Sequence, residues 1–323
     1  MSKNILALNF GGIGDEILFL PTLISLKKEF PHSKITLALE SRSKGIKDLT
    51  DVIDEVFPSE KKIPDLLKLI WFARKGNFDI IISSGSNKFI SVLLRLTGIK
   101  ERYGYDTGAL SRRILTKAAP LNKNQYAALM YHDLISPLTD QRTLLPEINV
   151  ECTEKIPNSV LIHPGVSKLS VEKGITKTVP AEIWAQIANL LIENGKHVIL
   201  AGGPDDEEVI TEILKQVQDS GNFENHFGKT KSLRDLAKLI AKSEKFVCSD
   251  SAPLHIAAAL KTKTYAIFGP TDHKKLIPPD VIVLKIPCSC EIYPCLWERR
   301  RTTCKSLDCL KINPQDAADI ILR

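Results

Sequence analysis

Asp250, Ser251 and Ala252 form the segment whose residue types and position point most clearly to chemistry. A short apolar run ends at Asp250, and the alanine-rich residues 254–260 are typical of a helix. The segment therefore joins the carboxyl end of a strand to the first turn of a helix, which is where open α/β sheets bind ligands. Backbone N–H groups and the helix dipole favour an anion there, above all a phosphate. Capping by Asp250 or Ser251 would not explain His255 one turn further on, so we predict an anion site that includes His255.

A second candidate is the turn Gly11-Gly12-Ile13-Gly14-Asp15, which follows the first apolar strand and opens a helix. Glycines let a ligand approach the backbone closely, so Gly12 and Gly14 are predicted to lie against a ligand. A dinucleotide fingerprint would need a third glycine where Ile17 stands, which disfavours NAD. Asp15 has two interpretations. It is an N-cap, or it is a general base that acts on a hydroxyl at the mouth of a cleft.

Lys177 lies in the loop before a helix that begins near Pro180. Such a lysine is usually solvated, but beside the Asp250 turn it would neutralise a diphosphate. His163-Pro164-Gly165 and Gly202-Gly203-Pro204-Asp205 also follow predicted strands, with Asp205 or Asp206 capping the next helix. Several such turns at one sheet edge are a stronger indication of a site than any single turn.

The elements that position these residues alternate between strands and helices. Strands are predicted at 5–10, 35–39, 52–57 and 79–83, with helices at 16–30, 43–49 and 65–74. The pattern loosens over 97–154 and resumes with strands from 159 to 268. This βαβ order predicts parallel sheets in two α/β domains, residues 1–152 and 153–323. A cleft between the domains, lined by strand carboxyl ends, is the expected binding site.

Composition excludes several classes of protein. With 323 residues, 43% hydrophobic and 25% charged, the chain has the profile of a globular protein. A net charge of +6 suits anionic ligands or an anionic membrane surface and is too small to indicate nucleic acid. Without a bilayer-length apolar run or a signal-peptide pattern, the protein is expected in the cytoplasm. Residues 61–75, apolar with basic flanks, predict a core-facing helix or, alternatively, peripheral membrane contact.

Five of the seven cysteines crowd the C-terminal region: Cys288, Cys290, Cys295, Cys304 and Cys309. In a reducing compartment, clustered cysteines indicate a metal rather than disulfides. Four thiolates of the five would make a tetrahedral site for structural zinc or iron. The spacings lack a paired C-x-x-C, so free, partly buried thiols are the alternative. Arg299, Arg300 and Arg301 lie inside this cluster and are either solvated or in contact with an anionic acceptor or lipid.

Taken together, these segments resemble glycosyltransferase family 9, the ADP-heptose:lipopolysaccharide heptosyltransferases. The matching segments are 9–21, 163–165, 177–184, 201–205, 250–260 and 268–272. The resemblance implies a GT-B fold, two Rossmann-like domains with parallel sheets facing across a cleft, and inverting transfer of a sugar from a nucleotide donor without a catalytic metal. The N-terminal domain would bind the acceptor and the C-terminal domain the nucleotide sugar.

The family's residue roles carry over to the matching positions. Asp15 resembles the base that deprotonates the acceptor hydroxyl, and Lys177 the lysine on the donor phosphates. Asp250, Ser251 and Ala252 resemble the helix-start segment that holds the diphosphate through the amides of 251–254, with His255 beside it. Ala252 stands where the family usually has glycine. Cys295, Cys304 and Cys309 follow a cysteine pattern that is common in the family.

The expected reaction is heptose transfer from ADP-heptose to a saccharide or lipid-linked acceptor, foremost the lipopolysaccharide inner core. Two alternatives remain open. One is a transferase that modifies protein or another glycan. The other is a sugar-nucleotide-binding protein without transfer activity, which the Ala252 departure keeps open.

Overall fold

The computed structural model describes residues 3–152, 154–172, 174–175, 177–218, 221–285, 288, 290–296, 304 and 306–323. The chain divides into two compact units, Met1–Asn149 and Val150–Arg323. Each unit carries a six-stranded sheet in which all the strand pairs are parallel. Both units therefore have the α/β architecture that the alternating pattern predicts.

The sheet of the first unit has the strand order β3-β2-β1-β4-β5-β6. Its strands are β1 Asn4–Leu8, β2 Lys34–Leu39, β3 Glu55–Pro58, β4 Ile80–Ser83, β5 Glu101–Tyr105 and β6 Lys117–Ala119. The central strands β1 and β4 are nearly continuous apolar runs, as expected for a sheet covered on both faces.

The described residues of the first unit form the α-helices α1 Ile13–Glu29, α2 Ile63–Lys75, α3 Ile90–Leu96, α4 Ala109–Ile114 and α5 Ala127–His132. Residues Ser41–Leu49 and Asp133–Ile135 are 3-10 helical. Helix α1 begins three residues earlier than the predicted 16–30. Gly14 and Asp15 therefore lie in its first turn rather than in a loop.

The region 97–154, which the sequence pattern left without elements, holds β5, β6, α4 and α5. These elements are three to six residues long, and several of their side chains are basic and exposed. Elements this short give too few turns or alternations for hydrophobic periodicity to be visible.

The sheet of the second unit has the order β12-β11-β10-β7-β8-β9. Its strands are β7 Ile156–His163, β8 His197–Leu200, β9 Phe223–Asn225, β10 Ser243–Ser249, β11 Lys263–Ile267 and β12 Ile282–Leu284. Its helices are α6 Lys168–Glu172, α7 Ala181–Glu193, α8 Glu207–Leu214, α9 Leu233–Lys242, α10 Ala252–Ala259 and α11 Pro314–Leu322. In this unit the pattern missed β9, β12, α6 and α11.

Helix α7 shows how the second core forms. Trp184, Ile187 and Leu191 recur at helical spacing and are fully buried in one cluster with Val160 and Ile162 of β7. Burying such side chains stabilises the layer by roughly 1.5–3 kcal/mol each. The strand ends that carry the polar turns therefore rest on a rigid sheet. No helix in the described part of the chain is long and apolar enough to cross a bilayer.

Candidate functional site

The first group of site residues lies where β7 and β10, neighbours in the second sheet, come to an end. Cys248 of β10 is in register with His163 of β7. The Ser249 hydroxyl donates a hydrogen bond to the Pro164 carbonyl at 2.6 Å, which ties the two strand exits together. The Asp250 turn and the His163-Pro164-Gly165 turn therefore meet at one sheet edge, as the sequence predicted.

Lys177 and Asp250 form an ion pair at this edge. Lys177 Nζ lies 2.7 Å from Asp250 Oδ2, and the two side chains are 17% and 4% exposed. The sequence placed both residues next to a diphosphate but did not predict that they contact each other. Since a buried carboxylate needs a compensating charge, Asp250 both fixes the lysine and depends on it.

Helix α10 begins at Ala252, and Ser251 is its N-cap, in extended conformation with φ −148° and ψ 176°. The Ser251 side chain makes no capping hydrogen bond, and its hydroxyl lies 3.5 Å from the Ser249 carbonyl. Pro253 has no N–H, and the Leu254 N–H donates to the Ser251 carbonyl at 3.1 Å. Among the contacts of the described residues, Ala252 is the residue of the first turn whose N–H is not given to a backbone carbonyl, so its amide is the candidate to bind an anion.

Ala252 is half-buried and needs no unusual backbone. The described non-glycine residues with positive φ are Asn158, Lys261 and Leu307, and Ala252 is not one of them. The departure from the family's glycine therefore amounts to one methyl group at the start of α10. His255 follows one turn later and is 7% exposed, on a stretch of α10 that is otherwise apolar and buried.

The second group of site residues surrounds Asp15, the third residue of α1. Asp15 Oδ2 accepts the N–H of Gly12 at 2.9 Å, and Asp15 Oδ1 accepts the Tyr131 hydroxyl at 3.1 Å. A Cβ atom on Gly11 would lie 2.3 Å from the Asp15 Cβ, so glycine is required where the chain passes this side chain. Asp15 is half-buried, and each carboxylate oxygen has a second lone pair with which it can accept a substrate hydroxyl.

Two buried polar side chains, Glu16 and Tyr131, lie next to Asp15. Glu16 is fully buried and accepts hydrogen bonds from the Asn9 amide at 3.1 Å and the Gly11 N–H at 3.4 Å. Burial raises the pKa of Glu16 well above its ordinary value, and the neighbouring Asp15 adds to this. Burial and Asp15 likewise raise the pKa of Tyr131, which keeps the phenol protonated as a donor.

Sequence reasoning missed Glu16 and Tyr131. Tyr131 lies 116 residues from Asp15, in the region without a recognisable pattern. A signal existed for Glu16, because an acidic residue stands directly before the apolar run of α1.

The second unit contains the same type of hydrogen bond as Gly12–Asp15, between a glycine N–H and an aspartate three residues later. Asp206 Oδ2 accepts the N–H of Gly203 at 2.8 Å, at the start of the 3-10 turn Pro204–Asp206. Asp206 is also the N-cap residue of α8, but its side chain makes no capping hydrogen bond there, so it does not form the predicted cap on that helix. Asp206 is buried next to His163, with 3.8 Å between Oδ2 and Nε2. Burial lowers the pKa of His163 and raises the pKa of Asp206, so both groups are biased towards their neutral forms. This arrangement supports the turn that carries Gly165, where a Cβ atom would lie 1.7 Å from Asp206 Oδ1.

Three of the five clustered cysteines raise the pKa of a fourth, Cys309. Burial, with smaller contributions from Cys288, Cys295 and Cys304, raises the pKa of Cys309 to about 11. Cys290 is exposed. Within the described ranges, no three His, Cys, Asp or Glu side chains are arranged to hold a metal ion, so the predicted zinc or iron site is unsupported. Arg299, Arg300 and Arg301 lie outside the described residues.

Comparison with known families decides the relationship. The family described as glycosyltransferase family 9 (heptosyltransferase) matches residues 67–305, about three quarters of the chain. The chain belongs to glycosyltransferase family 9. It is therefore a glycosyltransferase, which confirms the resemblance. The matched range includes Lys177 and the Asp250 turn, whereas Asp15 precedes it.

Curated relatives and solved structures agree with this membership. The transferase is 27% identical over 282 residues to lipopolysaccharide heptosyltransferase 3 of Escherichia coli, covering 80% of this chain and 82% of the relative. It is 24% identical over 277 residues to lipooligosaccharide heptosyltransferase 2 of Campylobacter jejuni, covering 82% and 81%. The solved E. coli ADP-heptose lps heptosyltransferase II superposes with a TM-score of 0.76 at 22% identity, covering 99% of this chain and 98% of that one. The fold is therefore GT-B, as the resemblance implied.

Proposed function

We propose that this glycosyltransferase moves a heptose from ADP-heptose to a saccharide acceptor, the lipopolysaccharide inner core, with inversion at the anomeric carbon. The observation that carries the proposal is the Lys177–Asp250 pair at the start of α10, because it fixes one cation beside a helix N-terminus. The names of the relatives support heptose as the sugar. An E. coli heptosyltransferase has been solved with ADP-2-deoxy-2-fluoro heptose, which supports the donor.

The leaving group is the first requirement of this reaction. Breaking the bond between the anomeric carbon and the phosphate oxygen places negative charge on the departing ADP. Lys177 and the Ala252 N–H at the positive end of α10 would stabilise this charge as it grows. Pro253 and Leu254 offer no further N–H to the diphosphate. Lys177 would therefore provide a larger share of the stabilisation than it would at a helix start with several free N–H groups.

The nucleophile is the second requirement. The acceptor hydroxyl gives its proton to the Asp15 carboxylate while its oxygen attacks the anomeric carbon from the face opposite the nucleotide. The new glycosidic bond forms as the bond to phosphate breaks, and this inverts the configuration. The contacts from Gly12 and Tyr131 would hold the carboxylate in one orientation for this step.

The two units would divide the substrates, with the acceptor on residues 1–152 and the nucleotide sugar on 153–323. Gly12 and Gly14 lie in the first unit next to Asp15, and the Gly12 N–H is engaged by Asp15. Their contact with the donor stays a prediction, as does that of Ser251 and His255. No step is assigned to a metal, because Lys177 and the helix start already provide positive charge for the diphosphate.

A donor panel tests the proposal. The full-length protein is incubated with ADP-, GDP- and UDP-sugars and followed by thermal shift, and nucleotide release is then measured with a purified inner-core acceptor. We expect a rise in melting temperature with ADP-heptose, ADP release that depends on acceptor, and an inverted linkage by NMR. Nucleotide release with a protein or another glycan, and not with the inner core, would identify that molecule as the acceptor instead. Binding of ADP-heptose without release for any acceptor would establish a binding protein instead.

A further inference from the structure

Helix α2 in the first unit carries an unusual outer face. Ile63, Leu67 and Trp71 are 75%, 60% and 61% exposed. They are spaced four residues apart and so lie along one side of the helix; we call them the α2 stripe. The opposite side, through Leu69 and Ala73, is buried in the core with β1 and β4. A surface helix normally presents polar residues to water, so a helix that is apolar on both sides calls for a second partner.

Basic side chains flank the α2 stripe. Lys75 Nζ lies 4.3 Å from the centre of the Trp71 ring. Lys68 is exposed and lies 3.1 Å from the helix's own Asp65, so the acidic group on this helix is already paired. Arg74 is exposed and donates from Nε to the Leu96 carbonyl at 2.9 Å.

Two further features extend this surface. The bond from Arg74 brings Leu96, which is 46% exposed, to the same side of the unit. At the start of the helix, Lys61 and Lys62 are exposed, with Lys61 paired to Glu40 at 2.8 Å. The surface is therefore an apolar stripe bordered by cations.

We propose that α2 docks the protein on an anionic lipid bilayer, with the α2 stripe at the boundary between headgroups and acyl chains. Tryptophan favours this boundary because its ring is apolar and its N–H is polar. Lys68 and Lys75 have stems long enough to keep their ammonium groups among lipid phosphates while the stripe is immersed. Negative surface potential adds attraction for each lysine near the membrane.

Charge favours a bilayer over a second copy of the chain as the occupant. A symmetric contact between two copies places the same patch on both sides. It would bring Lys68, Arg74 and Lys75 of one copy against those of the other, and like charges in an interface are unfavourable. The docking does not require the proposed heptose chemistry. It would, however, bring the enzyme to the surface where a lipid-linked acceptor lies.

Vesicle co-sedimentation tests the proposal with the full-length protein. Vesicles of phosphatidylglycerol and phosphatidylethanolamine are compared with vesicles of phosphatidylcholine alone. We expect binding to the anionic vesicles and a drop of at least tenfold in partition for Leu67→Gln/Trp71→Gln. Lys68→Gln/Lys75→Gln should lose about fivefold per lysine, which corresponds to about 1 kcal/mol each. The matched control is Leu169→Gln/Val171→Gln, two exposed apolar residues of the second unit, 36% and 54% exposed, which should bind like the wild type.

Two further measurements distinguish membrane docking from self-association through the same face. Trp71 fluorescence, taken as the difference between wild type and Trp71→Phe, should shift to the blue on anionic vesicles. Nucleotide release with a soluble acceptor should be unchanged in the stripe variants. Vesicle binding is measured without donor or acceptor, so a negative result in the donor panel would not affect the membrane test. Equal vesicle binding by the wild type and both double variants would overturn the proposal. So would a dimer in sedimentation velocity that Leu67→Gln/Trp71→Gln dissociates without loss of vesicle binding.

Discussion

The hydroxyl of Tyr131 donates a hydrogen bond to Asp15 Oδ1 at 3.1 Å, while the ring of Tyr131 packs edge-on against Phe19 with 5.7 Å between ring centres. Helix α5 thus contacts the first turns of α1, and Tyr131 binds the Asp15 carboxylate oxygen that does not accept the Gly12 N–H. Tyr131 is buried, so the contact is shielded from solvent. Tyr131 is therefore a positioning residue for the proposed base.

Tyr131→Phe should lower kcat about tenfold while KM for the donor changes little. Phenylalanine keeps the contact with Phe19 but removes one hydrogen bond to the carboxylate, and a hydrogen bond to a charged group contributes about 1.5–3 kcal/mol. A purely structural role would instead lower the melting temperature and leave kcat unchanged.

Asp15→Asn should reduce kcat by roughly 10²–10⁴-fold and leave ADP binding nearly intact, since general-base catalysis contributes about that much. The matched control is Asp206→Asn, because Asp206 accepts a glycine N–H at the same spacing in the second unit. The control should keep most of the activity. Steady-state kinetics and calorimetry with ADP measure the two effects, and full turnover by Asp15→Asn would remove Asp15 from the mechanism.

The sequence predicted both helix-start turns because buried parallel strands are apolar runs that end at glycine or at an acidic residue, as at Gly11 and Asp250. It did not predict Tyr131, because the elements between 97 and 154 are too short to show periodicity. The Lys177–Asp250 pair was also missed as a contact. Lys177 lies in the connection between β7 and α7 and Asp250 directly follows β10, so their contact depends on the register between these two strands. That register cannot be read from a single sequence.

Lys177→Met should lower the free energy of unfolding by about 3 kcal/mol, because it leaves the buried Asp250 carboxylate unpaired. Adding Asp250→Asn should restore most of this stability, since the unpaired charge is then removed. ADP affinity should stay low in both variants if Lys177 contacts the diphosphate. Chemical denaturation and calorimetry measure the two effects, and recovery of ADP affinity in the double variant would restrict Lys177 to a structural role.

Ala252→Gly should tighten ADP binding a few-fold and lower the melting temperature slightly. The backbone at position 252 does not have a positive φ, so glycine relieves no strain there and costs up to about 1 kcal/mol of helix stability. The gain would come from removing a methyl group beside the Ala252 amide, which binds the diphosphate in the proposed mechanism. Calorimetry with ADP checks this, and unchanged affinity would place the methyl group away from the nucleotide.

Glu16 should make the folded protein less stable as pH rises, because its pKa is higher in the folded chain than in the unfolded chain. Burial raises its native pKa well above 4.5, so the folded chain keeps a proton that the unfolded chain releases as pH rises. The contribution of the Glu16 carboxyl to the free energy of unfolding is therefore fully present below about pH 4.5, and it is lost as pH rises through the native pKa. Each unit of pKa shift corresponds to about 1.4 kcal/mol.

Glu16→Gln removes this titration while keeping a side-chain oxygen that can accept the Asn9 amide. Near pH 4.5 the variant and the wild type should unfold at similar denaturant concentrations, and above neutral pH the variant should be the more stable of the two. The measurement is the midpoint of urea unfolding as a function of pH, taken as the difference between the two proteins so that other titrating groups cancel. A difference that stays constant with pH would mean that the Glu16 carboxyl is as ionised in the folded chain as in water, and Asp15 would then lie beside a second negative charge.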